Sequence, residues 1–292
     1  LLKATAESKR FGKILVSGYV NEVESDVSMQ FSAITFEFLK KNYFISYRGT
    51  DNSLVGWQED FNMFFTFPLP SQKKALDYVE KAVRMLNGKF ILGGHSKGGN
   101  LAVYAGAFTD ENSRNHIDYI YNFDGPGVSL DIIRDSGFYE VDDRIYTFVP
   151  QSSIFGMMFE HEESYTIVKS ASHSFWQHNA FSWNVVGTHF VHLDEDTKSI
   201  KFAEKNMKEL IDGLTTEQKK QIIDSVFQIM AEGGKITFDD IRKAGIKNIP
   251  TMIKAFNKID NESKKALTDG IALLAKLSIK NGYEINKPEP KG

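Results

Sequence analysis

The chain has 292 residues, 41% hydrophobic and 25% charged, with a formal net charge of −3. That length allows one large domain, or one domain with a small appendage, and the charge gives no global pull toward nucleic acid. Cysteine is absent, which excludes disulfides, a cysteine nucleophile and zinc–thiolate sites. No run reaches the roughly 18 apolar residues of a transmembrane helix. The missing cysteines fit a cytoplasmic protein; the chain opens at Leu1 rather than Met, so a removed leader and secretion stay open.

Taken in order, Val27, Met29, Phe31 and Ala33 alternate and predict a strand over 27–38. A polar turn at Lys40-Lys41-Asn42 leads to a second strand over 43–47, so the two read as a hairpin. Ala75, Leu76, Val79, Ala82, Val83 and Leu86 recur at helical spacing, and Asn87-Gly88 ends that helix. Phe90-Ile91-Leu92 is a short buried strand. After Lys97, the residues Leu101, Ala102, Ala105 and Phe108 share a helix face. Further strands are predicted at 119–123, in "RIYTFVP" and in "YTIVKS". Strands alternating with helices predict an α/β architecture with a mainly parallel sheet flanked by helices.

Near Thr197 the composition changes. Residues 201–292 carry 17 Lys+Arg against 13 Asp+Glu and read as helix, whereas the first 200 are rich in aromatic and β-branched residues. We therefore expect a domain over 1–196 and a small helical extension over 197–292. In the extension, Thr215 and Gln218 have capping-box spacing and Gly233-Gly234 stops the helix that follows. A short helix is expected from Thr237 to about Gly245, and Asn261 is expected to cap a long one running to Lys280. The tail "NKPEPKG" is too polar and proline-rich to pack.

The chemistry centres on Gly94-His95-Ser96-Lys97-Gly98, a G-x-S-x-G pentapeptide between a strand and a helix. Such a turn forces its serine into strained backbone, and only small neighbours clear the chain. Ser96 is the candidate nucleophile; the plainer reading is a serine that merely caps the helix. Hydrolysis also needs two donors aimed at the developing oxyanion. The amide of Lys97, just after the nucleophile, supplies one. Thr50, in the Arg48-Gly49-Thr50 turn after an earlier strand, suits the other.

"YRGTDNSLVGWQEDF" together with "GGHSKGGNLA" resembles the class 3, fungal-type lipases, whose pattern is an R-G-[ST] oxyanion loop, a W-x-x-D helix and then G-H-S-x-G-G. The chain also looks like a bacterial lipase-like family, long labelled as of unknown function, in which "FDGPG", "VPQSS" and "QH" followed by "W" recur. The resemblance spans roughly 25–188. It implies an α/β-hydrolase fold and ester hydrolysis through an acyl-serine, with Ser96 as nucleophile and Thr50 and Lys97 at the oxyanion. Two departures stand out. The lipases have an apolar residue at the position of Lys97, and no carboxylate stands at the matching place for their acid, near Ser152-Ser153.

The general base must be a histidine. His95 is expected to point away from the chemistry, because alternate residues face opposite sides of a strand. His116 belongs to the wrong end of the sheet. Chain order, with the base last, leaves His161, His173, His178, His189 and His192. His178, a polar step in the aromatic loop "SFWQHNAFSW", is preferred. For the acid we favour Asp124 in "NFDGPG", 28 residues after Ser96 at the end of the next predicted strand; pancreatic-type lipases are similar in this placement. Asp142, Asp143 and Glu162 are the other candidates.

Two apolar stretches, carrying Trp57, Phe61, Phe64 and Phe65 in the first and Phe155 and Met158 in the second, read either as an acyl pocket and lid or as core. No metal site, cofactor or phosphate loop is expected. The expected ligand is a small-molecule or lipid ester. Lys97 either biases the site toward anionic acyl compounds or turns to solvent. A thioesterase or acyltransferase would use the same residues, and a catalytically silent hydrolase-fold binding protein would share the cleft. The helical extension reads equally as a cap, a dimer interface or a membrane-surface contact, and nothing in it fixes the oligomeric state.

Overall fold

The computed structural model describes residues 2–51, 54–63, 66–128, 133–134, 137–151, 153, 156, 161–193, 198–232 and 249–285. In chain order its helices are α1 (Leu2–Ala6), α2 (Leu54–Asn62), α3 (Pro70–Leu86), α4 (Lys97–Phe108), α5 (Glu111–Arg114), α6 (Lys198–Asp212), α7 (Thr216–Glu232), α8 (Ile249–Lys258) and α9 (Asn261–Ile285). The strands are β1 (Leu15–Glu24), β2 (Met29–Leu39), β3 (Asn42–Tyr47), β4 (Lys89–His95), β5 (Ile117–Phe123), β6 (Ile145–Pro150), β7 (Tyr165–Val168), β8 (Val185–Val186), β9 (His189–Phe190) and β10 (His192–Leu193). They fall into two compact units. The first comprises Leu1–Val23, Gln30–Gly49 and Pro70–Asp196; the second comprises Glu24–Met29, Thr50–Leu69 and Thr197–Gly292.

The first unit is built on an eight-stranded sheet in the order β1-β2-β3-β4-β5-β6-β7-β10. The expected hairpin is β2–β3, which pairs antiparallel. From β3 to β7 every neighbouring pair is parallel and follows chain order. Right-handed crossovers that all step the same way set their helices on one face. Accordingly α3 packs on α4, and α4 packs on β4 and β5. That face is the core, made by Tyr43, Ile45, Tyr47, Phe90, Leu92, Ile120, Ile145 and Val149, all buried. Each such side chain contributes about 1.5–3 kcal/mol of burial free energy. The other face carries aromatic rows, in which Tyr121 lies 5.6 Å from Tyr146 and Phe123 lies 5.6 Å from Phe148, ring centre to ring centre. The fold is thus α/β, a mainly parallel sheet flanked by helices and followed by C-terminal helices, as the alternation of elements predicts.

Some elements differ from their sequence reading. β1 is an unanticipated edge strand; Leu15, Val16, Tyr19 and Val23 are exposed along it, so it carries no inside–outside alternation to read. α9 is capped by Asp260 rather than Asn261: the Asp260 carboxylate accepts the Ser263 amide at 2.8 Å, the three-residue reach of an N-cap. The short helix expected after Thr237 and the C-terminal tail lie outside the described residues.

In the second unit, α7 packs against α2, α8 and α9, while α6 packs along α9. Ile229, Ala255, Ile259 and Leu267 form its buried cluster, with Ile222 and Phe256 against it. The capping box at α7 is reciprocal: the Gln218 amide donates to Thr215 Oγ1 at 3.2 Å and the Thr215 amide to Gln218 Oε1 at 2.9 Å. Among the described residues no helix is long and apolar enough to cross a membrane.

Candidate active site

The carboxyl ends of parallel strands are where open α/β sheets gather ligands, and β4 and β5 end there side by side. β4 hands the chain to α4 through Ser96, whose φ of 58° and ψ of −132° lie where side chains seldom go. Strain of that kind costs on the order of 1–3 kcal/mol. The turn packs main chain on main chain: a Cβ at Gly98 would strike the Tyr47 carbonyl, and one at Gly94 would strike the Gly98 backbone. Ser96 makes no side-chain capping bond to α4, so the helix-cap reading of this serine is overturned. Its amide instead continues the sheet by donating to the Phe123 carbonyl at 2.9 Å. Lys97 opens α4, so its amide is among the first-turn N–H groups with no acceptor inside the helix.

β5 ends at Asp124, another non-glycine residue at positive φ, 53°; aspartate tolerates that region better than most side chains. Asp124 is fully buried. A buried carboxylate needs its oxygens satisfied, and three donors do this. Oδ1 accepts from Ser153 Oγ and from the Gly156 amide, the latter at 3.2 Å. Oδ2 accepts from His178 Nδ1 at 2.7 Å. A carboxylate only accepts, so the proton on this side of the imidazole belongs to Nδ1 and leaves Nε2 as the acceptor. The structure therefore brings Asp124 and His178 together, and sets Asp124 at the end of the strand beside the one that leads into Ser96.

The other candidate residues have the following settings. His116 binds the Gly88 carbonyl at 2.8 Å, at the opposite strand ends. His173, His189 and His192 are exposed. Asp143 is exposed beside Arg144, at 3.7 Å, in a turn that also holds Asp142. Glu162 is exposed. Thr50 and Asp60 belong to the second unit, where the Thr50 hydroxyl donates to the Asp60 carboxylate. Trp57 and Phe61 lie on α2 in the same unit. Phe64, Phe65, Phe155, Met158 and Ser152 lie outside the described residues. Among the described residues no group of three or more His, Asp and Glu could hold a metal ion.

Two expectations need correction. His95 does not turn away from the chemistry: its Nε2 donates to the His178 carbonyl at 2.5 Å, and the two rings lie 4.5 Å apart. Strand alternation fixes which face His95 occupies, but not that the 174–178 turn folds onto that face. Burial, and then electrostatic repulsion from His178, lower the His95 pKa and so favour its neutral ring. Lys97 does not turn to solvent. It is 1% exposed, and its Nζ donates to the main-chain and side-chain oxygens of Gln30 at 3.0 and 3.1 Å. A bias of the site toward anionic acyl groups therefore gains no support from it.

Sequence reasoning also missed a second buried pair. His161 Nδ1 meets Glu163 Oε1 at 2.8 Å, with both side chains 3% exposed. "HEES" carries no local signal for this pair, because its other contacts, to Thr147 of β6 and to the Gly156 carbonyl, come from elsewhere in the chain.

No curated protein sequence matches the chain. Among solved structures, the native lipase–propeptide complex of Rhizomucor miehei is similar at 16% identity, over 55% of this chain and 57% of that one, with a TM-score of 0.39. Lipase II from Rhizopus niveus is similar at 19% identity, over 55% and 68%, with a TM-score of 0.42. The chain thus spans less than two thirds of the length of the Rhizomucor chain it matches. A family model described as Mbeg1-like matches residues 5–228, a stretch that takes in the ends of β4 and β5 and the turn carrying His178, and so the chain belongs to the Mbeg1-like family.

Proposed function

We propose that the chain is a serine hydrolase that cleaves carboxylic esters, of small molecules or lipids, through an acyl-serine intermediate. The supporting observation is the 2.7 Å hydrogen bond from His178 Nδ1 to the buried Asp124, beside the strained turn that carries Ser96. In this reading His178 Nε2 takes the Ser96 hydroxyl proton as Oγ attacks the acyl carbonyl. Asp124 holds the imidazole in the required tautomer and stabilises the imidazolium. The Lys97 amide and Thr50 are the proposed donors to the oxyanion. The tetrahedral intermediate collapses, and the leaving alcohol takes the proton from His178. Water then repeats the sequence on the acyl-serine, releasing the acid and restoring Ser96.

The test is labelling with a fluorophosphonate, which reacts with an activated serine. Wild type is expected to label and Ser96→Ala not to, with circular dichroism showing both folded. A folded wild type that stays unlabelled would point instead to a catalytically silent binding protein.

A further inference from the structure

The triad acid rests on a second layer of structure. Asp124 Oδ1 is held by Ser153 and Gly156, and Gly156 is held in turn from behind. Its amide donates to Ser153 Oγ at 2.8 Å and to Asp124, while its carbonyl accepts from His161 Nε2. The other nitrogen of His161 meets Glu163 Oε1, which also accepts from Thr147 Oγ1 of β6 at 2.7 Å. Both ring nitrogens of His161 thus face oxygens that can only accept, a carboxylate and a carbonyl. A neutral imidazole has one N–H and satisfies one such partner; only the imidazolium satisfies both.

We propose that His161 is a positioning residue for the triad acid: held as an imidazolium between Glu163 and the Gly156 carbonyl, it fixes Gly156, which with Ser153 binds Asp124 Oδ1, and so aims Oδ2 at His178. The role rests on the reading of Asp124 as triad acid. The groups around the His161 ring fit it. Glu163 supplies the charge partner, Asp124 adds a second negative charge, and the Tyr165 ring lies 6.1 Å away at an edge-on angle. Burial opposes charge on His161, but the hydrogen bond and charge of Glu163, the Gly156 carbonyl and Asp124 outweigh it and raise its pKa. Burial likewise opposes charge on Glu163, but the hydrogen bond and charge of His161, with Thr147, lower its pKa. Breaking a chain that sets the acid's direction displaces the imidazole without touching substrate, so kcat falls while KM holds.

The experiment compares wild type, Glu163→Gln and the paired His161→Leu/Glu163→Leu chain. The paired change leaves no lone buried charge, so it keeps the fold where the single change fails to. Two readouts are taken: kcat and KM on a p-nitrophenyl ester, and the low-field proton shared by His178 Nδ1 and Asp124 in isotope-labelled protein. Expected are a fall in kcat of about tenfold to a hundredfold, an unchanged KM, and loss or fast exchange of the low-field proton in both variants. A folded variant with wild-type kcat and an intact low-field proton overturns the proposal, as does a rise in KM at constant kcat. If wild type hydrolyses no ester and takes no fluorophosphonate label, yet its low-field proton persists and vanishes in the variants, the hydrolase reading fails and the positioning role stands. A wild type without that proton overturns the positioning role.

Discussion

Three donors converge on the buried carboxylate of Asp124, the proposed triad acid. Replacing it by asparagine keeps the shape but removes the charge and allows the wrong His178 tautomer. Asp124→Asn is expected to lower kcat about 10⁴-fold, the cost of the same change in the best-studied serine protease triad, measured on the best p-nitrophenyl ester with the fold checked by circular dichroism. A fall under about tenfold, roughly 1.4 kcal/mol, would move the acid elsewhere. His95 acts one step further out, by holding the His178 main chain. His95→Ala is expected to cost about tenfold to a hundredfold in kcat and His95→Gln less, since the amide can still donate; equal activity of all three would remove His95 from the site. Ser96 was legible in the sequence because its signal is local: glycines, a strand and a helix within a few residues. Asp124 was legible as a strand end. His95 and the His161–Glu163 pair were not: the partner of His95 lies 83 residues along the chain, and nothing in the local sequence shows that the pair is buried.

At the scale of elements, the turn between β4 and α4 is a close packing of main chain on main chain. Gly98→Ala would push a methyl against the Tyr47 carbonyl, with no flexible side chain to give way. A loss of about 1–3 kcal/mol or more is expected, read from the urea midpoint; a loss under about 0.5 kcal/mol would show that the turn can shift. The loop between β6 and β7 adds a pH dependence. The Glu163 pKa is depressed in the fold, so its contribution is present above the ordinary glutamate value and lost as pH falls through the lowered one. The His161 pKa is raised, so its contribution is present below the ordinary histidine value and lost as pH rises through the raised one. The pair therefore stabilises most between the ordinary glutamate and ordinary histidine values, and its contribution fades outward to the lowered Glu163 value on the acid side and the raised His161 value on the alkaline side. Breaking a buried pair from one side costs about 3–5 kcal/mol. The Tm difference between wild type and Glu163→Gln should peak inside that window and shrink on both flanks; a difference constant with pH would mean the pair carries no charge. Elements with a one-sided pattern, such as α3 and β5, were legible in the sequence; β1 was not, because exposure along it leaves no pattern.

At the scale of the whole chain, composition shifts near Thr197, but packing does not follow chain order alone. The second unit draws residues 24–29 and 50–69 from the front of the chain to join 197–292, and within it α2 packs on α7. The sequence could not show this, because α2 sits in the middle of the lipase-like motif run and nothing local ties it to helices more than 150 residues later. The consequence concerns a chain cut after Asp196. Such a fragment keeps every strand of the sheet but leaves α2 without its partner. A nine-residue helix is shorter than the roughly 12–15 residues at which an isolated helix becomes even marginal in water, and most helical stability in proteins comes from a packed face. Hydrogen exchange on the 1–196 fragment should therefore show amides in 54–62 exchanging freely while those of β4 and β5 stay protected, whereas in the full chain both are protected. If 54–62 remains protected in the fragment, α2 draws its stability from elsewhere, and 197–292 is an appendage rather than the partner that holds α2 in place.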